Sequence, residues 1–281
     1  MKKIPFYKMS GSGNDFILID NRRGILKNLK GRKLNRFAAA VCTHRMSAGG
    51  DGMILIERAS NPKNAHFRWR LFNADGTEAE FSGNGGRCAA RFAYLNKIAP
   101  ARMVFETLAG PIRAEIEGTH VKIQMPAPQS LQMDIKIPVR DKTYVGHFLN
   151  TGVPHTVLFV DDPAIVDVVP LGRAIRNHAL FQPAGTNVNF ALIKTPRRVQ
   201  MRTYERGVEN ETLACGTGAV ATALIAGALG QGRSPMTLRQ QSGMALRVYY
   251  RWDGINFSNV FLEGDARVVY AGEMGDETLF P

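Results

Sequence analysis

Two stretches about half a chain apart follow one plan. Ser82-Gly83-Asn84-Gly85-Gly86-Arg87-Cys88 and Ala214-Cys215-Gly216-Thr217-Gly218-Ala219 each place a small nucleophilic side chain before Gly-x-Gly. Each then runs into an alanine-rich segment with a helical pattern. Glycine at a helix start lets backbone N–H groups approach a ligand closely, and the unpaired N–H groups and the helix dipole favour an anion. Such a chain is expected to form two similar halves whose helix N-termini face each other across one cleft. That arrangement suits carrying a proton from one face of a carbon to the other. Symmetry with Cys215 asks for a cysteine at position 82, where the chain has Ser82.

The segments around these starts repeat as well. Before the first helix, Ile4 to Asp20 reads as strand, loop, strand; Leu34 to Cys42 as a helix; Met53 to Ile56 and His66 to Phe72 as strands; and Asn73 to Glu80 as a polar loop. Three short strands follow the helix, at Met103 to Glu106, Ile112 to Ile116 and Val121 to Met125. Strands return at Tyr144 to Leu149, Thr156 to Val160, Val188 to Ile193 and Val199 to Tyr204. The polar loop Glu205 to Leu213 then leads into the helix Gly216 to Leu229, and strands at Ala245 to Tyr250, Asn259 to Glu263 and Ala266 to Tyr270 close the chain. The proline-rich passage from Met125 to Pro138 is the expected linker. The strands are too short and too directly joined for regular β-α-β units. The reading is α+β: two pseudo-symmetric domains, residues 1–126 with 268–281 and residues 127–267, each a curved mixed sheet around a central helix, with the site in the cleft between them.

Composition narrows the function classes. A hydrophobic content of 44% with 21% charged residues is that of a soluble globular protein. No apolar run reaches the length of a membrane span, and the polar residues Ser10 to Asp15 arrive too soon after Lys2 and Lys3 for a signal peptide, so a cytoplasmic protein is expected. Three cysteines, Cys42, Cys88 and Cys215, without a CxxC pair, and six histidines without HExxH spacing speak against a disulfide framework or a metal site. The net charge of +12 is spread rather than gathered with aromatics, which favours attraction of anionic metabolites over nucleic-acid binding. Gly216-Thr-Gly-Ala-Val-Ala221 fits a dinucleotide fingerprint, but no acid follows before Asp253, so no nicotinamide cofactor is expected.

The chemistry rests on the helix starts. A cysteine at a helix N-terminus has a lowered pKa and serves as a base near neutral pH, which singles out Cys215; Cys42 and Cys88 read as buried and inert. Gly83-Asn84 and Gly216-Thr217 offer two anion cradles, which around one carboxylate would acidify the adjacent α-carbon. Asn14, Asn73, Asn187, Glu205, Arg206 and His155 bracket the cradles; singly each reads as an ordinary turn, surface or packed residue, and together they supply what an amino-acid head group needs.

On these residues the chain resembles the diaminopimelate epimerases, a family of cofactor-independent amino-acid epimerases and racemases. The motifs are Lys8-Met-Ser-Gly-Ser-Gly-Asn-Asp-Phe16, Phe72-Asn-Ala-Asp-Gly-Thr-Glu78, Gly83-Asn-Gly-Gly-Arg-Cys88, Thr151-Gly-Val-Pro-His155, Gly185-Thr-Asn-Val-Asn189, and Glu205-Arg-Gly207 with Ala214-Cys-Gly-Thr-Gly-Ala219. The resemblance implies a homodimer and a two-base reaction in which one thiolate removes the α-proton and a second thiol returns one. It implies interconversion of LL- and meso-diaminopimelate on the route to lysine, with no cofactor. It also implies that Asn14, Asn73, Asn187, Glu205 and Arg206 bind substrate, that Gly83, Asn84, Gly216 and Thr217 cradle its carboxylate, and that His155 and Glu205 tune the proton-transfer groups. The chain departs from the family at Ser82, at Val153 where many members have asparagine, and at Gly52 where some have glutamine. A serine donates a proton to a carbanion but is a poor base, so Ser82 bears on the mechanism itself. It is open to three readings: an engineered substitution, a natural one-base enzyme acting on another amino acid, or an epimerase that tolerates serine. A catalytically weak amino-acid-binding protein is the reading from a different class.

Overall fold

The computed structural model describes residues 3–275 and 277. The chain forms two compact units. The first takes the residues up to Ile123 and those from Gly264 onward, and the second runs from Gln124 to Glu263.

The first unit contains β1 (Ile4–Gly11), β2 (Asn14–Asp20), α1 (Arg32–Cys42), β3 (Gly52–Glu57), β4 (Phe67–Asn73), the two-residue β5 (Glu78–Ala79), α2 (Gly83–Leu95), β6 (Arg102–Thr107), β7 (Gly110–Glu117) and β8 (His120–Gln124). A final strand from Arg267 to Met274 returns to pair antiparallel with β1. β1 and β2 are antiparallel, β2 and β3 parallel, β3 and β4 antiparallel, β4 and β6 parallel, and β6, β7 and β8 antiparallel. The apolar runs of β2 and β3 lie at the parallel step and are buried on both faces, as expected of strands covered by a helix on each side. Ile17, Ile19, Met53, Leu55 and Phe72 share one cluster with Leu34, Phe37 and Val41 of α1. α2 lies on the opposite side and packs against β1, β2, β3 and β7, strands from well-separated places in the sheet, so the sheet curls around it.

The second unit repeats this order. Its elements are β9 (Gln129–Val139), β10 (Lys142–Asn150), β11 (Pro154–Phe159), α3 (Val168–Arg176), β12 (Asn187–Thr195), β13 (Arg198–Glu205), β14 (Asn210–Thr212), α4 (Gly216–Ala228), β15 (Met236–Arg239), β16 (Ala245–Trp252) and β17 (Phe257–Asp265). β9, β10 and β11 are antiparallel, β11 and β12 parallel, β12 and β13 antiparallel, β13 and β15 parallel, and β15, β16 and β17 antiparallel. α4 is buried from Gly216 to Gly227 apart from Thr217, which explains why it is apolar all round; it packs against β10, β11, β12, β15 and β16. α3 covers the outer face, where Gly172 meets the ring of Tyr204: a Cβ at Gly172 would lie 2.5 Å from that side chain.

Each unit is therefore a curved mixed sheet around a central helix, as expected. Four details differ from the sequence reading. Each unit does hold two β-α-β crossovers, through α1 and α2 and through α3 and α4. The proline-rich passage expected as a linker is largely β9, in which Pro138 pairs with Thr143 of β10. Proline is tolerated where its missing N–H is not asked for. α3 was not expected because Pro170 and Gly172 interrupt its pattern; the proline falls in the first turn, where no intrahelical donor is lost. β15 is only four residues long and falls below a period-two signal.

Candidate active site

Ser82 and Cys215 occupy equivalent places. Each is the N-cap of a 13-residue central helix, with extended backbone at φ −146°, ψ 126° and φ −127°, ψ 110° respectively. Ser82 Oγ accepts a hydrogen bond from the Gly85 N–H at 3.1 Å, and Cys215 Sγ accepts one from the Gly218 N–H at 3.4 Å. Both side chains thus satisfy a donor that the first helical turn leaves open. The shared spacing predicts two matching helix starts, and the two helices begin with matching side-chain caps.

In the first unit, Asn14 and Asn84 meet directly, Asn84 Nδ2 donating to Asn14 Oδ1 at 2.5 Å. Asn14 Nδ2 donates to Asp51 Oδ2 at 3.0 Å. Asn84 is buried, and its Oδ1 accepts from the guanidinium of fully buried Arg87 at 2.8 Å. Asn73 is exposed at the end of β4, and its Nδ2 donates to Thr77 Oγ1 at 2.9 Å within the turn that leads to β5. Gly52 sits so close to β4 that a Cβ would lie 2.7 Å from the Phe72 carbonyl oxygen, so no glutamine enters here without a shift of that strand.

In the second unit, Asn187 is buried and held at both ends of its amide. Its Nδ2 donates to the Pro154 carbonyl at 2.9 Å, and its Oδ1 accepts from the Arg206 N–H at 2.9 Å. Arg206 also donates to the Ala184 carbonyl at 2.8 Å, so its side chain anchors the loop that precedes β12. Thr217 lies 3.6 Å from Cys215 Sγ through its hydroxyl, and its carbonyl accepts from Thr151 Oγ1 at 3.1 Å.

The electrostatics correct one expectation. The Cys215 thiol is not acidified by its helix start. Burial pushes it up to about 12, and the Glu205 carboxylate pushes the same way, against hydrogen bonds from Thr217 and Gly218. Desolvation of a thiolate outweighs a helix terminus when the cysteine is only 5% exposed. Cys42 and Cys88 are raised to about 12 by burial too. His155 is wholly buried, and burial followed by the charge of Arg206 brings it down to about 3, so its ring is neutral at physiological pH.

Several residues to which the sequence reading gave no role surround these groups. Asn189 lies directly beneath the start of α4: a Cβ at Gly218 would come within 2.3 Å of its Oδ1. Asn189 Nδ2 lies 3.2 Å from His155 Nδ1 and 3.1 Å from the Thr156 carbonyl, and its Oδ1 accepts from Thr203 Oγ1 at 2.9 Å. With Nδ1 accepting, the ring proton of His155 resides on Nε2, which is buried without a hydrogen-bond partner among the described residues. Gln240 Oε1 accepts the Cys215 N–H at 3.2 Å and steadies the cap from the turn after β15. Arg87 was within a quoted motif and carried one usable signal: Asn84, Arg87 and Arg91 recur at helical spacing on a face that is otherwise apolar. Gln240 has no such signal, because its contact is made only by the folded turn.

The sequence model described as "Diaminopimelate epimerase" matches residues 6–131 and 147–267. The chain belongs to the diaminopimelate epimerase family. Among curated members of the family, the diaminopimelate epimerase of Hydrogenobaculum sp. (strain Y04AAS1) is 48% identical, over 96% of this chain and 98% of its own length. That of Aquifex aeolicus (strain VF5) is 44% identical, over 98% and 99% respectively. With them this chain is an isomerase. Solved structures share the fold at low identity. A hydroxyproline epimerase from Agrobacterium vitis superposes with a TM-score of 0.74 at 14% identity, covering 98% of this chain and 93% of that one. A phenazine biosynthesis protein of the PhzF family from Bacillus anthracis gives 0.70 at 15% identity, covering 98% and 100%. Both show the family's α+β fold and nothing of substrate.

Proposed function

We propose that this member of the family interconverts LL- and meso-diaminopimelate by removing and returning the α-proton, without a cofactor, on the route to lysine. The observation that carries the reading is the matched capping of α2 and α4 by Ser82 and Cys215. Each caps a helix whose first N–H groups, at Gly83-Asn84 and Gly216-Thr217, suit one carboxylate oxygen or the other.

The substrate carboxylate, held by those N–H groups, accepts the electron pair left when the C–H bond breaks. Cys215, as thiolate, takes the proton from one face. Its raised pKa makes the thiolate scarce but strongly basic, which suits a weakly acidic C–H. Ser82 gives its hydroxyl proton to the other face, and solvent restores it. The Oγ is already an acceptor from Gly85, so its own hydrogen is available to donate. Asn14, Asn73, Asn187, Glu205 and Arg206 hold the rest of the substrate, and His155 and Glu205 set the proton affinity of the acid–base pair. Forming an alkoxide at Ser82 is costly, so exchange of the α-proton through Cys215 runs faster than inversion.

Heavy water tests this. With LL-diaminopimelate, deuterium is expected in recovered LL substrate before it is found in meso product, and Ser82→Cys is expected to bring inversion up towards exchange. No exchange in either protein overturns the reading. Ser82 also favours a second reading, a one-base isomerase or dehydratase of another amino acid; release of a keto acid would identify it.

A homodimer is part of the proposal. The returning strand exposes Val268, Val269 and Tyr270, the last two at 58% and 45%, and covering such a stripe favours association. Sedimentation of the wild type against Tyr270→Glu distinguishes a dimer from a monomer.

A further inference from the structure

We infer that Arg87 is a positioning residue: it fixes which way round the side-chain amides of Asn84 and Asn14 are held, and so which atoms the first unit presents to substrate. What those amides hold rests on the functional reading above.

Arg87 is in the first turns of α2 and wholly buried. Its Nη2 donates to Asn84 Oδ1 at 2.8 Å and to Ser12 Oγ at 2.7 Å, Nη1 to the Gly83 carbonyl at 3.3 Å, and Nε to the Asp265 carbonyl at 3.2 Å. Ser12, itself buried in the turn between β1 and β2, passes the charge on. Its Oγ and backbone N–H donate to Asp265 Oδ1 at 3.0 and 3.2 Å. The buried cation thus faces a carboxylate through one hydroxyl.

The direction of the chain follows from donor chemistry. A guanidinium has no acceptor, so the Asn84 atom facing it is the oxygen. Asn84 Nδ2 then points the other way, into Asn14 Oδ1, and Asn14 Nδ2 points on into Asp51 Oδ2 at 3.0 Å. An ionised carboxylate has no donor, so Asp51 holds the far end in the same sense. Two amides lie between a donor-only cation and an acceptor-only anion, and only one orientation of each satisfies every link. Turning either amide over would set oxygen against oxygen and nitrogen against nitrogen. With both oxygens spent on these links, each amide keeps an N–H hydrogen to offer, the polarity a substrate carboxylate needs.

The test is steady-state kinetics on full-length Arg87→Lys with diaminopimelate. Lysine keeps the charge but places it on one nitrogen, which cannot hold Asn84, Ser12 and two carbonyls together. KM is expected to rise about tenfold or more while kcat per folded molecule falls less than about threefold, with some loss of melting temperature from the missing buried hydrogen bonds. Ser12→Ala, which cuts the link to Asp265 and leaves the guanidinium in place, is expected to raise KM in the same direction by about two- to fivefold, and carries the test if Arg87→Lys does not fold. A folded variant with unchanged KM, or a fall in kcat alone from a smaller active fraction, overturns the inference. A wild-type chain inactive on diaminopimelate overturns the functional reading instead. The positioning role is then read from the side-chain amide NMR signals of Asn14 and Asn84, which Arg87→Lys is expected to shift or average; unmoved signals overturn it.

Discussion

Ser82 Oγ accepts the Gly85 N–H at 3.1 Å, the same bond that a sulfur makes at the start of the other central helix. The position is therefore built for a hydrogen-bond acceptor at the N-cap, and the exchange of oxygen for sulfur leaves the local backbone intact. What changes is acidity.

Ser82→Cys is the direct consequence. The variant is expected to fold with a melting temperature within a few degrees of wild type, because cysteine caps α4 in the same geometry. Its inversion rate is expected to rise by about 100-fold or more, equivalent to about 3 kcal/mol of barrier. Stopped assays on both diaminopimelate isomers measure it; an unchanged rate would show that the hydroxyl is not the limiting group.

Alkylation of Cys215 reports its proton affinity. With the thiol raised to about 12 by burial and by Glu205, reaction of the unliganded protein with iodoacetamide is expected to be slow at pH 7 and to keep rising beyond pH 9 without a plateau. Glu205→Gln removes a negative charge and is expected to move the profile to lower pH. A plateau near pH 7 in the wild type would contradict the burial argument.

Gly218→Ala is expected to be damaging although alanine is the better helix former. The new Cβ would stand 2.3 Å from Asn189 Oδ1 and 3.2 Å from Cys215 Sγ. Overpacking of this kind costs about 1–3 kcal/mol, and displacement of the sulfur is expected to lower kcat at least tenfold. Thermal melts and kinetics read the two effects separately. Asn189→Ala in the same background is expected to recover part of the stability, since it removes the atom that clashes.

His155 sets an acid limit. Its folded pKa, about 3, lies below the ordinary 6.5. Below pH 6.5 the unfolded chain binds a proton that the folded chain does not. The stability from keeping His155 neutral is therefore fully present above pH 6.5 and is lost as pH falls towards 3, by up to about 1.4 kcal/mol per unit. Denaturant midpoints across this range are expected to fall less steeply in His155→Gln than in wild type.

The repeat, the two capped helices and most strands were legible from the amino-acid sequence. Their signals are local: period-two alternation, apolar runs such as Phe16 to Ile19, and glycine at a helix start. The proline-rich passage was misjudged because whether a strand tolerates Pro138 depends on which neighbour would need its N–H, and a neighbour is a tertiary fact. α3 escaped for a similar reason, since its helicity rests on packing over Tyr204 rather than on propensity.

At the two helix starts, the sequence by itself determined which candidate groups exist and where they stand in the chain: one thiol, one hydroxyl and the glycines that follow each. Only the tertiary structure decided their chemical state. The proton affinity of Cys215 is set by how much water reaches the sulfur and by Glu205, ten positions away in the chain. The tautomer of His155 is set by Asn189 across a parallel strand pair, where His155 is in register with Asn187. The orientation of Asn14 and Asn84 is set by a buried arginine and two carboxylates drawn from distant segments. Desolvation and hydrogen-bond direction depend on three-dimensional neighbours, and no spacing along a chain encodes them.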